Sequence, residues 1–376
     1  MQKKKILFLL PSLAGGGAER TLINVLQHLD YNKYDVDLVS VLNDGPYLKE
    51  VPKEVRLITL FNHILLVRIL AYFQKKIGFN LIFKLIMQQK IKNHYEVGIS
   101  FLDSNYTDFL FFITGIKKRY AWVHSAYKSY NNFAKYYENS SYREKLKKKR
   151  YSALDGIFFV SQDAMDEFID VFGKYSNMQV IYNLMNPKSV LEKSKGPLPL
   201  QKKIFTFVAV GSLLPVKGFD RLIRSAKIIK GKGYSFRLQI LGSGSEEEKL
   251  NKLIIDNELE GCVELKGFVS NPYPYMMQAD VFVMSSVSEA LPTVLCEAMI
   301  LGKPTLVTNC SGCREIVQLG EYGLMAEQND NDLADKMLLY LTNQDTLTHF
   351  KVKSEERALV FDDNKVLKEY YKVLDS

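Results

Sequence analysis

Short apolar runs alternate with longer amphipathic stretches along almost the whole chain. This alternation is typical of repeated strand–helix units, which assemble into parallel sheets covered by helices on both faces. Ten apolar runs are predicted strands: Lys5–Leu10, Val36–Leu42, Val97–Phe101, Arg119–Val123, Gly156–Val160, Phe205–Val210, Phe236–Leu241, Val263–Lys266, Val281–Met284 and Thr305–Val307. Six amphipathic stretches are predicted helices: Ala18–Leu29, Phe219–Lys230, Glu246–Asn257, Pro272–Gln278, Pro292–Leu301 and Asp332–Leu341. The predicted fold class is therefore α/β.

Two groups of strands are separated by residues 186–204, which have the Pro, Gly, Ser and Lys content of a linker. A length of 376 residues also exceeds what one ordinary core supports. We therefore predict one doubly wound parallel-sheet domain over residues 1–185 and a second over residues 205–355. Because ligands bind beyond the carboxyl ends of the strands in such sheets, the site is expected in a cleft where the two domains face each other.

Cysteine usage and hydropathy bear on the cellular compartment. The four cysteines are Cys262, Cys296, Cys310 and Cys313. They do not form a disulfide framework, and the single C-x-x-C lacks a second pair or a histidine set, so reduced thiols are expected rather than a metal or redox site. The apolar run after the N-terminal lysines is too short for a secretory signal. No stretch reaches the ~18 to 20 apolar residues of a membrane span. A cytoplasmic location is expected.

The net charge of +8 is concentrated in the first half. Residues 1–185 carry 26 Lys+Arg against 17 Asp+Glu, whereas residues 186–376 carry 24 against 25. The motifs of nucleic-acid binding are absent, so no nucleic-acid partner is expected. An anionic membrane surface is the other explanation for a basic domain, and it predicts peripheral association of this domain with the inner face of the cell membrane.

Residues 61–95 contain six basic residues and no acidic one, and their apolar residues come in helical clusters. This composition suits one or two helices in a membrane interface, with lysines toward anionic headgroups. The alternative is a helix pair packed on the core with a solvated basic face. A second basic run, Lys145–Arg150, is typical of a solvated helix face.

Glu289 and Glu297 flank a predicted helix start at Pro292. The nearby backbone amides of Leu291 and Thr293 have no helical partner and favour a phosphate. Two carboxylates would repel that phosphate, so we expect them to accept hydrogen bonds from sugar hydroxyls on either side of it. A diphosphate between two polyols describes a nucleotide-sugar. The alternative is a surface glutamate beside a capped helix.

Three glycine-rich turns follow predicted strands. In the first, Lys217 is placed to neutralise a diphosphate leaving group, and Gly218 lets the backbone approach. The Gly242–Gly244 turn is weak evidence alone. The Gly15–Gly17 loop falls short of a dinucleotide fingerprint but leaves a bare backbone at a helix N-terminus, where it could contact a phosphate.

His124 follows a predicted strand and would stand at its carboxyl end, where a functional role competes with a structural one. The two Asp-x-Asp pairs, at 35–37 and 330–332, are not placed like metal ligands of a nucleotide site. We expect no essential metal and no cofactor, with Lys217 and helix dipoles taking the diphosphate charge.

Together these segments resemble the family 4 retaining glycosyltransferases of GT-B fold, with two Rossmann-like domains facing a central cleft. The matching segments are Gly15–Gly17, His124, Gly211 to Gly218, Gly242–Gly244 and the Glu289…Glu297 pair. The Gly-Gly-Ala-Glu-Arg at 16–20 and Phe101–Asp103 are also similar to bacterial enzymes that extend lipid-linked or cell-surface glycans. The resemblance implies a C-terminal helix over residues 356–376 that crosses back to the first domain.

The resemblance also implies roles for individual residues. Glu289 would hold hydroxyls of the donor sugar, Glu297 the ribose hydroxyls and Lys217 the diphosphate. His124 would contact the donor sugar near the reacting carbon, and Asp103 would contact the acceptor. The remaining donor-binding positions are mostly main-chain ones: Gly16, Gly17, Gly211, Gly242, Phe268, Val269, Leu291, Pro292 and Thr293.

Two positions depart from the pattern of this family. Ser212 stands where many relatives have arginine, so one phosphate contact is missing or comes from Arg314 or Arg221. Ala290 replaces a glycine, which is a change of one methyl group.

The implied activity is retaining transfer, without a dedicated base or a metal, from a nucleotide-sugar with uridine as the expected base. The expected acceptor is a hydroxyl of a glycan or of a polyprenyl-diphosphate-linked oligosaccharide in bacterial surface polysaccharide or glycoconjugate synthesis. One alternative is a nucleotide-sugar 2-epimerase or a phosphorylase on the same fold. Another is a non-catalytic scaffold that kept the fold.

Overall fold

A computed structural model describes residues 2–77, 80–127, 139–196 and 204–376. Its described residues form two compact units. The first unit contains those within 2–127, 139–184 and 364–376, and the second unit contains those within 185–363.

The first unit is built on a seven-stranded parallel sheet with the order β3-β2-β1-β4-β5-β6-β7. Its strands are β1 (Lys4–Leu10), β2 (Tyr34–Leu42), β3 (Arg56–Phe61), β4 (Tyr95–Ser100), β5 (Ile116–Val123), β6 (Gly156–Phe159) and β7 (Met178–Val180). The register places Ile6 of β1 beside Val36 of β2 and Val97 of β4. The order reverses at β1, as in Rossmann-like sheets, so the loops after β1 and β4 diverge and leave a crevice at the carboxyl edge.

Among the described residues, five α-helices of the first unit lie between its strands along the chain. They are α1 (Gly17–His28), α2 (Ile64–Ile77), α3 (Leu81–Lys90), α4 (Ser140–Lys149) and α5 (Gln162–Phe172). The start of α5 follows directly from the sequence, because the Ser161 hydroxyl accepts a hydrogen bond from the Ala164 amide at 3.1 Å. Helices α2 and α3 pack Val67, Leu70 and Phe83 into the core.

The second unit is built on a six-stranded parallel sheet with the order β10-β9-β8-β11-β12-β13. Its strands are β8 (Thr206–Val210), β9 (Arg237–Leu241), β10 (Val263–Leu265), β11 (Val281–Met284), β12 (Thr305–Thr308) and β13 (Leu324–Ala326). Its helices are α6 (Pro187–Lys193), α7 (Phe219–Gly231), α8 (Glu247–Asp256), α9 (Tyr273–Gln278), α10 (Thr293–Ile300), α11 (Cys313–Val317), α12 (Asp330–Thr342) and α13 (Gln344–Ala358). The sheet order reverses between β8 and β11, so the crevice of this unit lies where those two strands end.

The first part of the predicted linker over residues 186–204 is helical, because α6 occupies Pro187–Lys193. The Asn186 side chain accepts from the Ser189 amide at 3.1 Å, and the proline stands at the first helical position, where it loses no hydrogen bond. Because proline is also common in linkers, the composition of this segment does not by itself predict the helix. Residues 197–203 of the predicted linker lie outside the described residues.

The C-terminal helix α14 (Asp363–Asp375) packs in the first unit, and it begins seven residues later than the predicted helix over 356–376. The chain breaks after α13 in a 3-10 turn that buries Phe361, and Asp362 is extended. Tyr370 then stacks on Trp122 with ring centroids 4.5 Å apart.

The outer face of α2 and α3 is apolar and exposed. Nine large hydrophobic side chains are exposed there: Ile64, Leu65, Leu66, Ile69, Tyr72, Phe73, Leu81, Ile82 and Leu85. We call this set the apolar face. Within the described ranges, no helix combines the length and the hydropathy needed to cross a bilayer.

Candidate functional site

Lys217 lies in the turn after β8 and is followed by Gly218, a position where any other residue would be strained. Gly218 has a φ of +61°, and a Cβ there would lie 2.2 Å from the carbonyl oxygen of Ser285, after β11. The Ser285 hydroxyl donates to the Lys217 carbonyl at 2.9 Å, and the Val287 amide donates to the Val216 carbonyl at 2.8 Å. The turns after β8 and β11 are therefore joined at main-chain level, at the crevice of the second unit.

Lys217 and Glu289 form an ion pair in this crevice. The Lys217 Nζ lies 2.6 Å from Oε1 of Glu289, and the hydroxyl of Ser286 donates to the same oxygen at 2.7 Å. The two side chains are only 21% and 12% exposed. Burial alone lowers the pKa of Lys217, but the charge and hydrogen bond of Glu289 raise it further, so its pKa lies above the usual value. The ammonium stays charged at neutral pH.

A second glycine fixes the loop that carries Glu289. Gly312 has a φ of +71°, and a Cβ there would lie 2.8 Å from the Glu289 carbonyl oxygen and 2.7 Å from that of Ala290. The Cys310–Cys313 turn thus packs directly on the Glu289 loop. Both of these cysteines are buried, and all four cysteines are free thiols. Among the described residues, no group of three metal-ligating side chains occurs.

The Gly242–Gly244 turn supports the lysine turn. A Cβ on Gly242 would lie 1.8 Å from the Gly211 carbonyl oxygen, and a Cβ on Gly244 would lie 2.4 Å from that of Leu213. The two glycine turns therefore touch backbone to backbone. This contact gives the Gly-x-Gly pattern a structural reason, whatever else the turn binds.

The start of α10 lies one residue later than predicted. Pro292 is the N-cap, and its carbonyl accepts from the Leu295 amide at 3.0 Å. Thr293 is the first helical residue, so its amide points out of the helix end without an intrahelical acceptor. Glu297 follows inside the helix, and the hydroxyl of Tyr273, the first residue of α9, donates to its Oε1 at 3.1 Å.

The neighbouring positions complete the second unit's candidate site. Leu291 is buried, whereas Val269 is half-buried and Phe268 is exposed in the loop after β10. Ser212, where the family arginine is missing, is exposed. One N–H of Arg221 donates to the Ser285 carbonyl at 3.1 Å, so Arg221 stabilises the joined turns.

His124 follows β5 in the first unit. Its ring packs on Phe101 with centroids 5.0 Å apart, and its Nε2 is buried without a hydrogen-bond partner among the residues described. The residue as a whole is partly exposed. Burial of the ring lowers the pKa of His124 to about 3, so the imidazole is neutral at physiological pH. A neutral ring with an unused nitrogen is suited to a hydrogen bond with a hydroxyl.

Asp103, the candidate acceptor residue, lies after β4 and is held within a hydrogen-bond network. Its side chain is 2% exposed. Its Oδ2 accepts from the hydroxyls of Tyr127 at 2.6 Å and Tyr151 at 2.9 Å, and its Oδ1 accepts from Thr107 at 2.9 Å. The guanidinium of Arg150 lies 3.9 Å away. This geometry favours a structural role.

The Gly15–Gly17 loop leads into α1, which begins at Gly17 with Gly16 as its N-cap. The Glu19 carboxylate lies beside the amides of Gly16 and Glu19; burial raises the pKa of Glu19, although these amides act to lower it. A Cβ on Gly16 would lie 2.4 Å from that carboxylate. The N-terminal end of α1 therefore already has a side chain of the same helix beside it.

The sequence missed three residues of this geometry. Ser286 and Tyr273 anchor the two glutamates, and Ser285 joins the lysine turn to β11. Ser285 and Ser286 directly follow the apolar run of β11, which is the one signal that could have identified them.

Two family models together match most of the chain. A model described as Glycosyltransferase Family 4 matches residues 15–189, and a model described as Glycosyl transferases group 1 matches residues 191–357.

Comparisons with individual proteins agree with these matches. An uncharacterized glycosyltransferase of Haemophilus influenzae is 27% identical over 99% of this chain and 100% of its own length. The N-acetylgalactosamine-N,N'-diacetylbacillosaminyl-diphospho-undecaprenol 4-alpha-N-acetylgalactosaminyltransferase of Campylobacter jejuni is 29% identical over 65% of each chain. The crystal structure of Anabaena Alr3699/HepE in complex with UDP and glucose has a TM-score of 0.75, with 17% identity and 99% coverage of both chains.

Proposed function

Because the chain belongs to the glycosyltransferases of GT-B fold, with a family 4 domain followed by a group 1 domain, we propose that it is a retaining transferase. The proposed donor is a UDP-sugar. The proposed acceptor is a hydroxyl of a glycan or a lipid-linked oligosaccharide in bacterial surface polysaccharide or glycoconjugate synthesis. The donor is inferred from the UDP and glucose bound by the Anabaena protein, and the acceptor from the lipid diphosphate in the name of the Campylobacter enzyme.

The observation that carries this proposal is the Lys217–Glu289 pair where β8 and β11 end, 2.6 Å between Nζ and Oε1. An ammonium has three donors, so Lys217 keeps two for diphosphate oxygens while it orients Glu289. The free oxygen of Glu289 then accepts from a sugar hydroxyl. Lys217 also stabilises the charge that develops on the leaving diphosphate.

The start of α10 supplies the remaining donor contacts of the proposed site. The amides near Leu291 and Thr293 take a phosphate at the positive end of the helix dipole. Glu297, oriented by Tyr273, accepts from the ribose hydroxyls.

The proposed chemistry needs no basic side chain at the acceptor. A leaving diphosphate oxygen takes the acceptor proton as the glycosidic bond forms on the same face of the sugar. In the first unit, the unused Nε2 of the neutral His124 is offered to a donor-sugar hydroxyl. We propose that neither a metal nor a cofactor takes part, since Lys217 and the α10 amides carry the diphosphate charge.

The donor half of this proposal is tested by thermal shift with a panel of UDP-, GDP- and ADP-sugars and with UDP alone. A ligand that binds only the native state raises its melting temperature. UDP and at least one UDP-sugar are expected to raise it, and Glu297→Gln is expected to reduce the shift. Glu248→Gln, an exposed glutamate on α8, is the matched control. No shift with any nucleotide-sugar would contradict the proposal.

We further propose that the protein binds membranes peripherally through the apolar face and the basic first unit. The apolar face suits burial at the acyl boundary, and the acid-free composition of residues 61–95 suits anionic headgroups. Binding to anionic vesicles should exceed binding to neutral ones and fall in Leu65→Ser/Leu85→Ser. Equal sedimentation with both kinds of vesicle would contradict this part.

A further inference from the structure

A pocket of about 330 Å³ opens in the first unit, in the lower part of the roughly 300–1,000 Å³ range of small-molecule sites. Its walls come from α2, the start of α3, the 3-10 helix over 105–111 and α4. The lining residues are Ala71, Asn80, Asn105, Asp108, Phe111, Phe112, Tyr142, Lys145, Leu146, Lys149 and Arg150. None of them has been assigned to donor binding above.

The wall of this pocket carries more positive than negative side chains. Arg150 is 2% exposed and is paired with Asp108, its Nε 2.6 Å from Oδ1. Lys145 and Lys149 lie one turn apart on α4, and both are exposed with no ion-pair partner among the described residues. Three cations therefore face one carboxylate at the pocket wall, and two of the three are free to bind an anion.

The pocket also offers an unused acceptor. The Oδ1 of Asn80 is buried and has no hydrogen-bond partner among the residues described. A buried amide oxygen left unpaired costs free energy, so a ligand hydroxyl there would be stabilising.

The pocket borders the apolar face. Ala71 on α2 lines the pocket, and the next two residues, Tyr72 and Phe73, are exposed members of the apolar face. Asn80 precedes α3, whose residues Leu81 and Ile82 are exposed too. A ligand with an anionic head group and a hydrocarbon chain would therefore contact the pocket and the apolar face at the same time.

We propose that this pocket binds the diphosphate of a lipid-linked acceptor, with its hydrocarbon chain along the apolar face. Lys145 and Lys149 bind the phosphate oxygens, and Asn80 accepts from a hydroxyl of the first sugar. This inference rests on the proposed transferase function for the identity of the ligand as an acceptor. The sequence predicts the basic run Lys145–Arg150 to be a solvated helix face. In this proposal the run binds the lipid head group instead.

The experiment uses neutral phosphatidylcholine vesicles that carry either a long-chain polyprenyl diphosphate or phosphatidylglycerol at the same total charge. Sedimentation is measured for the full chain, for Lys145→Gln/Lys149→Gln and for Lys147→Gln/Lys148→Gln. Both variants lose two charges from the same helix, but only the first loses pocket residues. Lys147 is paired with Glu144 in an exposed contact, so its loss costs little stability.

The expected result is preferential binding to the polyprenyl diphosphate vesicles. Lys145→Gln/Lys149→Gln should weaken that binding by about 30-fold, while the control variant loses only a few-fold. Equal binding to both kinds of vesicle, or equal losses in the two variants, would overturn the proposal, because both indicate attraction to bulk charge. No binding to either kind of vesicle would overturn it as well.

A parallel thermal shift with UDP separates this inference from the proposed function. An unchanged UDP shift in the Lys145→Gln/Lys149→Gln variant, together with its loss of lipid preference, supports the pocket. A UDP shift with no lipid preference in the wild-type protein overturns the pocket alone. Lipid preference without a UDP shift supports the pocket as a lipid site and contradicts the donor site.

Discussion

The candidate site of the second unit and the candidate site groups of the first unit differ in whether their polar atoms already have hydrogen-bond partners. Lys217, Glu289 and Glu297 all have partners within the second unit. In the first unit, the Nε2 of His124 has no partner among the described residues, and Lys145 and Lys149 are unpaired there. Satisfied groups are held in place before a ligand arrives. Unsatisfied groups gain more from a ligand, because their hydrogen-bonding capacity is otherwise unused.

The difference follows from the glycines of the second unit. Four glycines of the second unit lie so close to another backbone segment that an added Cβ would clash with it: Gly218, Gly242, Gly244 and Gly312. Main-chain contact fixes the turns, and the fixed turns place Lys217 against Glu289. The first unit has such a contact at Gly45, where a Cβ would lie 1.8 Å from the Leu13 carbonyl oxygen, but its candidate site groups stand on helices and strand ends instead.

The largest expected effect is the loss of activity when the Lys217–Glu289 ion pair of the second unit is broken. Glu289→Gln should lower kcat/KM by about 10³-fold, because it removes the partner that orients Lys217 and the acceptor for sugar hydroxyls. Initial rates with a UDP-sugar and a lipid-linked acceptor measure the effect, and circular dichroism checks the fold. Glu248→Gln on exposed α8 is the control. Normal turnover in Glu289→Gln would remove the pair from the mechanism.

The next largest effect is the loss of stability when a glycine at a close backbone contact is replaced by alanine. Gly218→Ala should cost about 3 kcal/mol or more, since its Cβ would meet the Ser285 carbonyl at 2.2 Å and its φ is +61°. Gly233→Ala should cost only about 1 kcal/mol, since its φ is +85° but nothing lies within 4 Å. Urea unfolding measures both. Equal losses would mean that the packing of the two turns contributes nothing.

The role of Asp103 separates structure from acceptor binding in the first unit. Asp103→Asn should lower the free energy of unfolding by about 2 kcal/mol, since three hydroxyl donors and the nearby Arg150 lose a carboxylate. The KM for the acceptor should stay unchanged under conditions where the variant is folded. Asp166→Asn, on an exposed face of α5, serves as the control. A raised KM with full stability would restore Asp103 to the acceptor site.

The smallest effect is the pH dependence that comes from His124. Its folded pKa of about 3 lies below the ordinary value of 6.5, so the unfolded chain binds the proton first as pH falls. The contribution of His124 to stability is therefore complete above about pH 6.5 and declines from there toward pH 3. Urea unfolding at pH 5 and pH 7.5 should give a smaller difference for His124→Gln than for the wild-type chain. An identical difference in both would contradict a buried neutral ring.

The sequence predicted all the inner strands of the two sheets and one edge strand, β10. Val281–Met284 is observed with the predicted bounds because every residue in it is buried and apolar. The sequence missed β3, β7 and β13. Each is an edge strand of its sheet, and each is partly exposed, so no continuous apolar run marks it. The six helices predicted from the sequence are observed with bounds that differ by at most two residues at either end.

The candidate site was predicted residue by residue but not as an arrangement. Lys217 and Glu289 were assigned to different parts of one ligand, yet they are paired with each other. Seventy-two positions separate them, and their contact depends on where Gly218 meets Ser285. The network around Asp103 was also missed, because its tyrosines lie 24 and 48 residues away without a local motif.

The central claim is that the second unit holds a nucleotide-sugar at the pair of Lys217 and Glu289. A crystal structure with UDP-sugar bound tests it most directly. The account predicts a diphosphate oxygen within hydrogen-bond distance of the Lys217 Nζ and of the amides before α10, with ribose hydroxyls on Glu297. A nucleotide bound elsewhere, with the Lys217–Glu289 pair unchanged and untouched, would contradict it.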